Sequence, residues 1–233
     1  MCGRYALTAS EKILLALFGF VAEGDDVPEM PPRYNIAPTQ PIAVVRHSHG
    51  VRRLELVRWG LVPWWVEDPK SFSLLINARR EGILDKPAFR DAMKYRRCLV
   101  PASGFYEWQR TQGKTKQPYW LAPADKGVVA FAGLYETWHD RASGAEIDSG
   151  CIVTTAANDN VGMIHDRMPA VIAPADFETW LTGEPELAVR LLKPASNDLF
   201  TAVQVSTAVN KADNDGPHLI EPVAPIKTDL FGG

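Results

Sequence analysis

The chain opens Met1-Cys2-Gly3-Arg4-Tyr5, with a cysteine in second position, where removal of an initiator methionine tolerates a small side chain. Freed of Met1, Cys2 would carry an α-amine and a β-thiol on adjacent carbons. The model amine titrates at about 7.7–8.0 and the model thiol at about 8.5, so both supply nucleophile near neutrality. Such a 1,2-aminothiol condenses with an aldehyde to an imine, and the thiol then closes a five-membered thiazolidine. No other side-chain combination in the chain offers that chemistry. Alone, a second-position cysteine is more often incidental.

Three residues change that reading in context. Glu107 lies in Pro101-Ala102-Ser103-Gly104-Phe105-Tyr106-Glu107-Trp108, a carboxylate among aromatics. Burial there would raise its pKa and suit it to acid–base work, whereas pairing with an arginine would make it structural. His165 sits in Ile164-His165-Asp166-Arg167-Met168-Pro169, where Arg167 could hold a phosphate while the imidazole moves a proton. Asn77, in Ile76-Asn77-Ala78-Arg79-Arg80-Glu81, could hydrogen-bond a reacting group or serve as a turn residue.

Basic and aromatic residues cluster as well. Arg79, Arg80, Lys86, Arg90, Lys94, Arg96 and Arg97 fall within nineteen positions, and arginine is the better phosphate fork. A solvated helix face is the plainer reading of such a run. Arg58-Trp59-Gly60-Leu61-Val62-Pro63-Trp64-Trp65 adds adjacent tryptophans, which cannot share one core if the segment is extended. One of them is expected at the surface, free to stack on a base.

These residues need a scaffold, and the composition supplies one. In 233 residues, 46% are hydrophobic and 23% charged, which excludes a disordered or collagen-like chain. A net charge of −3 excludes a broadly polybasic binder, so an anionic partner would be held by a local patch. No apolar run reaches the length of a membrane span. Three cysteines without regular spacing (Cys2, Cys98, Cys151) suit a reducing compartment, and Cys98 and Cys151 read as structural. No Cys/His cluster suggests zinc, so neither metal nor cofactor is expected. Strands are predicted at Ile42–Arg46, Arg53–Arg58, Cys98–Val100, Tyr119–Leu121, Val128–Tyr135, Ile152–Thr155, Ala170–Ile172 and Ala202–Val205. Helices are predicted after a capping box at Thr8–Glu11, over Pro87–Tyr95 with Asp85 as cap, and over Pro174–Leu181 and Pro185–Lys193. The expected fold is α+β, one domain over residues 1–233, built on a curved, largely antiparallel, barrel-like sheet with a few peripheral helices.

Six motifs together resemble the SOS response-associated peptidase (SRAP) family. They are Met1–Tyr5, Arg33-Tyr34-Asn35-Ile36-Ala37-Pro38-Thr39, Arg58–Pro63, Asn77-Ala78-Arg79, Gly104–Trp108 and His165–Pro169. The likeness runs from residue 2 to about Val223, leaving 224–233 as a tail; Gly82 departs from the polar residue expected there. Members of that family crosslink covalently to abasic sites in single-stranded DNA. The resemblance implies that Cys2, after Met1 removal, attacks the ring-opened deoxyribose aldehyde at C1′ and closes a thiazolidine. It implies that His165 assists ring opening, Glu107 assists imine formation and slow reversal, and Asn77 orients the sugar and the nucleophile. Arg4, Arg79 and Arg167 would grip phosphates. Trp65 and the Pro38 loop would stack on or wedge between bases, with Trp64 less regular in the family. The implied partner is single-stranded DNA containing abasic sites, met in the cytoplasm or on the nucleoid by a monomer.

Two other classes stay open on the residues themselves. A cysteine peptidase or N-terminal-nucleophile hydrolase would use Cys2 with His165 or Glu107 and show burst kinetics. A non-catalytic single-strand binder would need the arginines and tryptophans but not Cys2.

Overall fold

The computed structural model describes residues 2–21, 28–110, 116–140 and 142–223, so the tail at 224–233 lies outside the described residues. In chain order the strands are β1 (Tyr5–Leu7), β2 (Arg33–Ile36), β3 (Pro41–Ser48), β4 (Val51–Trp59), β5 (Asn77–Arg79) and β6 (Arg97–Ala102). They continue as β7 (Gly104–Arg110), β8 (Lys116–Pro123), β9 (Val129–His139), β10 (Glu146–Ala156), β11 (Arg167–Pro169), β12 (Val171–Ile172) and β13 (Phe200–Gln204). The helices are α1 (Glu11–Phe18), α2 (Arg90–Tyr95), α3 (Asp159–Gly162), α4 (Phe177–Thr182) and α5 (Pro185–Leu191).

The run Ile42–Val45 is buried on both faces of the hairpin β3–β4, with Leu54 and Val57 opposite it, and the hairpin is in register from Pro41↔Arg58 to Ser48↔Val51. His49 and Gly50 both take positive φ (50° and 82°), the twist that a two-residue hairpin turn requires. From that hairpin the sheet continues β4–β3–β6–β9–β10, and β10 returns to β4 through Ser149↔Arg58. Five strands therefore close into a barrel. The pairings of β10 with β4 and β5 are parallel, and the others are antiparallel.

A second sheet, β13–β8–β7–β1–β2, lies against the barrel. The seam is aromatic: Tyr5 meets Trp59 edge-on at 5.4 Å, and Phe105 meets Phe131 at 6.0 Å and Phe200 at 5.3 Å. Each edge-to-face pair adds about 0.5–1.5 kcal/mol beyond the area that it buries. Cys98 and Cys151 are buried free thiols in this core. No helix of the described residues is long and apolar enough to cross a membrane.

The helices differ from the sequence expectation in detail. The capping box before α1 does not form: Ser10 occupies the N-cap without a side-chain bond, and the Thr8 hydroxyl lies 3.2 Å from Ser103 Oγ instead. α1 buries Leu14 and Phe18, one turn apart, and stops at Gly19 in the left-handed region (φ 59°). α2 starts at Arg90 rather than near Pro87, because turns fill residues 81–89 and Asp85 caps nothing. The basic run therefore crosses turn, helix and strand and shares no face. Arg97 is buried, with Nη1 donating to the Met93 carbonyl at 2.6 Å and Nε and Nη2 to the Trp180 and Gly183 carbonyls. Arg96 pairs with Glu136 at 2.8 Å. Both are structural.

Gly104 starts β7 where a side chain would collide. An added Cβ would lie 2.5 Å from the Leu121 carbonyl oxygen and 2.5 Å from the Trp120 ring. Gly104→Ala is expected to cost at least about 1–3 kcal/mol of stability, the usual cost of overpacking. Thermal denaturation checks this, and an unchanged Tm would mean that β7 and β8 separate easily.

Candidate active site

β1 sets the position of the nucleophile. It pairs with β7 through Tyr5↔Phe105 and Ala6↔Gly104, and the Tyr106 N–H donates to the Arg4 carbonyl at 3.0 Å. Continuing that register places Gly3 opposite Glu107 and Cys2 opposite Trp108. Cys2 exposes 0% of its surface, and its Sγ lies 3.8 Å from the Arg4 carbonyl oxygen. Burial first, and then the nearby Glu107 carboxylate, push the thiol well above its ordinary range. Asn77, the first residue of β5, is fixed by pairing with Ile152 on β10. Its Nδ2 donates to the Cys2 carbonyl at 2.8 Å, a bond spanning 75 positions. Its Oδ1 is buried and has no partner among the described residues.

Glu107 is 2% exposed, and burial raises its carboxyl above the ordinary range against the pull of neighbouring positive charge, His165 included. A carboxyl that burial raises in this way is better suited to hold and donate a proton. His165 follows α3, whose Asn158 cap accepts from the Val161 N–H at 2.9 Å and donates to the Ala195 and Ser196 carbonyls, each at 3.0 Å. The His165 Nδ1 lies 3.0 Å from the Arg167 N–H and 3.0 Å from Asp166 Oδ1. In neutral imidazole Nδ1 accepts from Arg167, which places the proton on Nε2. In the imidazolium Nδ1 donates to Asp166. Nδ1 is engaged either way, so Nε2 is the nitrogen that can serve a reaction.

The four residues expected to do chemistry therefore lie together, connected by the Asn77–Cys2 hydrogen bond and by the electrostatic influence of Glu107 on the Cys2 thiol and of His165 on Glu107. The expected phosphate ligands are placed differently. Arg4 lines a cavity of about 690 Å³ with Pro38 and Trp108, yet its Nη1 also donates to Asn35 Oδ1 at 2.8 Å and the Val209 carbonyl at 2.6 Å. Arg79 is an exposed residue of β5. Arg167 is gripped by Glu81, both Nη groups meeting its carboxylate at 2.9 Å. Pro38 sits in a turn beside Thr39, which has positive φ (73°).

Both neighbouring tryptophans are at the surface, not one. Trp64 is 52% exposed and Trp65 43%, because the chain turns there (Val66 N–H to the Pro63 carbonyl, 3.1 Å) instead of running extended. Trp65 stands edge-on to Phe72 at 5.7 Å. Trp59 is the buried member of the trio, donating to the Ile76 carbonyl at 2.9 Å, next to Asn77.

A second cavity of about 480 Å³ is lined by His165, Asp166 and Arg110, and shares Trp108 and Lys116 with the first. A groove thus runs from Pro38 and Arg4 past Trp108 to His165. Sequence reasoning named neither Lys116 nor Arg110, which bring positive charge to it. Trp108 was visible only as the end of the Glu107 motif. Among the described residues no group of three or more His, Cys, Asp or Glu could hold a metal ion.

The pattern of the SOS response associated peptidase (SRAP) family matches residues 1–212. The chain belongs to the SRAP family. It is 38% identical over 227 residues to the abasic site processing protein YoqW of Bacillus subtilis, covering 95% of this chain and 99% of that one. It is 33% identical over 231 residues to the abasic site processing protein YedK of Escherichia coli, covering 96% and 100%. A crystal structure of a Bacteroides thetaiotaomicron protein superposes with a TM-score of 0.84 at 25% identity, over 96% of this chain and all of that one. In this SRAP protein the Asn77 and His165 motifs fall on short strands beside β10. β5 and β11 flank β10, while β1 and β7 pair with each other and meet the barrel through Tyr5 on Trp59 of β4 and Phe105 on Phe131 of β9.

Proposed function

We propose that this SRAP protein captures abasic sites in single-stranded DNA covalently through Cys2, once Met1 has been removed. The observation that carries the proposal is the Asn77–Cys2 bond at 2.8 Å, which holds Cys2 in place near the buried Glu107, whose carboxyl burial raises above its ordinary range. The names of its relatives, abasic site processing proteins, point the same way.

While Met1 is attached, the nitrogen of Cys2 is an amide and is not nucleophilic. Its removal supplies the amine. The abasic deoxyribose is mostly a closed hemiacetal, and His165 transfers the proton that opens it to the aldehyde. The Cys2 amine adds to C1′, forming a C–N bond and a carbinolamine. Glu107 protonates the carbinolamine hydroxyl, which leaves as water, and the imine forms. The Cys2 sulfur then bonds to the same carbon while the thiol proton passes to nitrogen, closing the thiazolidine. The balance is one aldehyde plus one aminothiol to one thiazolidine and one water. Asn77 fixes the Cys2 carbonyl throughout, so that amine and thiol stay on one side of the incoming carbon.

Burial of the thiol suits this order of events. A thiol held neutral does not compete with the amine for the aldehyde, and it adds only after the imine has made its carbon more electrophilic. The DNA track is the groove past Arg4, Trp108 and Lys116, with Arg79 at the exposed end of β5 and the half-exposed Trp65 and Pro38 as stacking surfaces. Trp65→Ala is expected to weaken single-stranded DNA binding by about 1–3 kcal/mol, the value of one base stacked on an aromatic ring. Its Tm should stay at the wild-type value, because the ring is exposed; fluorescence-anisotropy titration and a thermal melt check both halves.

The proposal is tested by mixing the purified protein with an oligonucleotide bearing one abasic site and resolving it by denaturing electrophoresis. A heat-stable band of combined mass is expected. No such band from protein shown to lack Met1 would overturn it.

A further inference from the structure

We infer that Glu81 is a positioning residue for His165, acting through Arg167. The inference rests on the reading of His165 as a proton-transfer residue given above. Arg167 does two things at once. Its backbone N–H holds His165 Nδ1 at 3.0 Å, and its side chain is tied down on the far side. Nη1 and Nη2 meet the two Glu81 oxygens at 2.9 Å each, and Nη2 also donates to the Thr154 carbonyl at 2.7 Å. The side chain is 11% exposed and Nε is buried without a partner among the described residues, so the guanidinium is turned toward the protein.

The consequence is a continuous support. Glu81 belongs to the turn that follows β5, four residues after Asn77. Thr154 belongs to β10, which pairs with β5 on one side and β11 on the other. The Glu81 carboxylate therefore braces the strand that carries Asn77 against the strand entered by His165. Two-point arginine–carboxylate contacts fix orientation as well as distance. Arg167 serves here as a strut between the two strands.

Glu81→Gln keeps the shape and removes the charge. In the crosslinking reaction at saturating abasic-site DNA, the rate constant is expected to fall about 10- to 100-fold, the scale of a small misplacement at a reacting centre. The half-saturating DNA concentration should stay unchanged. In a His165→Ala background the same substitution should have no further effect, since Glu81 acts through His165. Nitrogen-15 NMR of the His165 ring supplies a readout that needs no DNA. The wild type should show the tautomer protonated at Nε2, and Glu81→Gln a mixture. Tighter binding of single-stranded DNA by Glu81→Gln would overturn the inference in favour of Arg167 as a phosphate ligand that Glu81 blocks. A multiplicative loss in the double variant, or an unchanged His165 spectrum, would also overturn it. If the wild type itself forms no adduct, the proposed function falls while the NMR comparison still decides the strut. Should Glu81→Gln fold poorly, Glu81→Ala, at a side chain that is 56% exposed, is read by the same comparisons.

Discussion

Cys2→Ala is expected to abolish the heat-stable adduct and leave single-stranded DNA affinity within about twofold, because the thiol contributes no contact along the groove. The substitution removes a small buried side chain and keeps the amine, so an imine can form but nothing closes over it. An imine of this kind hydrolyses or promotes strand cleavage by β-elimination. Cys2→Ser should behave similarly, with a reducible imine and cleaved strand in place of a stable band. Borohydride trapping followed by electrophoresis distinguishes the three states: adduct, trapped imine and cleaved strand. A stable adduct from Cys2→Ser would contradict ring closure by sulfur. Unchanged behaviour of Cys2→Ala would favour a simple binder. Loss of peptide cleavage in trans, with an unchanged DNA adduct, would favour the peptidase.

Glu107→Gln should have the second largest effect, and it separates catalysis from folding by moving them in opposite directions. A positioned acid contributes about 10²- to 10⁴-fold, so crosslink formation should slow by that order, and reversal with it. Stability should change the other way. Burial raises the Glu107 carboxyl in the folded protein above its unfolded value. The fold is therefore favoured by the neutral carboxyl below the unfolded pKa and loses that contribution as pH rises through the folded pKa. Glutamine mimics the neutral form at every pH. The variant should accordingly melt higher than wild type at alkaline pH, and the difference should shrink in acid. The rate profile adds a check, since the amine must be deprotonated and Glu107 protonated. Wild type should decline on the alkaline side, and Glu107→Gln should lose that decline. Equal losses of DNA affinity and rate would mean that Glu107 only shapes the groove.

The barrel was legible because its strands carry short, β-branched apolar runs that are buried on both faces. Ile42–Arg46, Arg53–Arg58, Cys98–Val100 and Ile152–Thr155 all lie inside the observed β3, β4, β6 and β10. The strands that carry the site were not seen. β1, β5 and β11 are three residues each, too short for a period to register, and their residues are chosen for contacts as much as for pleat. β7 begins Gly-Phe-Tyr-Glu with all four residues buried, so alternation never appears. Cys2, Glu107 and His165 could be picked out as candidates from residue type and motif. The bonds that organise them could not, because Asn77 reaches Cys2 across 75 positions and Glu81 reaches Arg167 across 86. Trp64 and Trp65 show the opposite failure. Their exposure was bounded by an extended-chain argument, and the turn at Pro63 removed its premise. The arginine run misled for the same reason, since Arg97 is committed to the carbonyls of Met93, Trp180 and Gly183.

The central claim is a covalent bond at one residue, and mass spectrometry of the crosslinked N-terminal peptide tests it most directly. Protein lacking Met1 would be reacted with an abasic-site oligonucleotide, digested with protease and nuclease, and fragmented. The account predicts a peptide beginning at Cys2, joined to the sugar with loss of one water, whose thiol no longer reacts with an alkylating reagent. A sugar carried on a lysine, or on a Cys2 peptide whose thiol still alkylates, would contradict it.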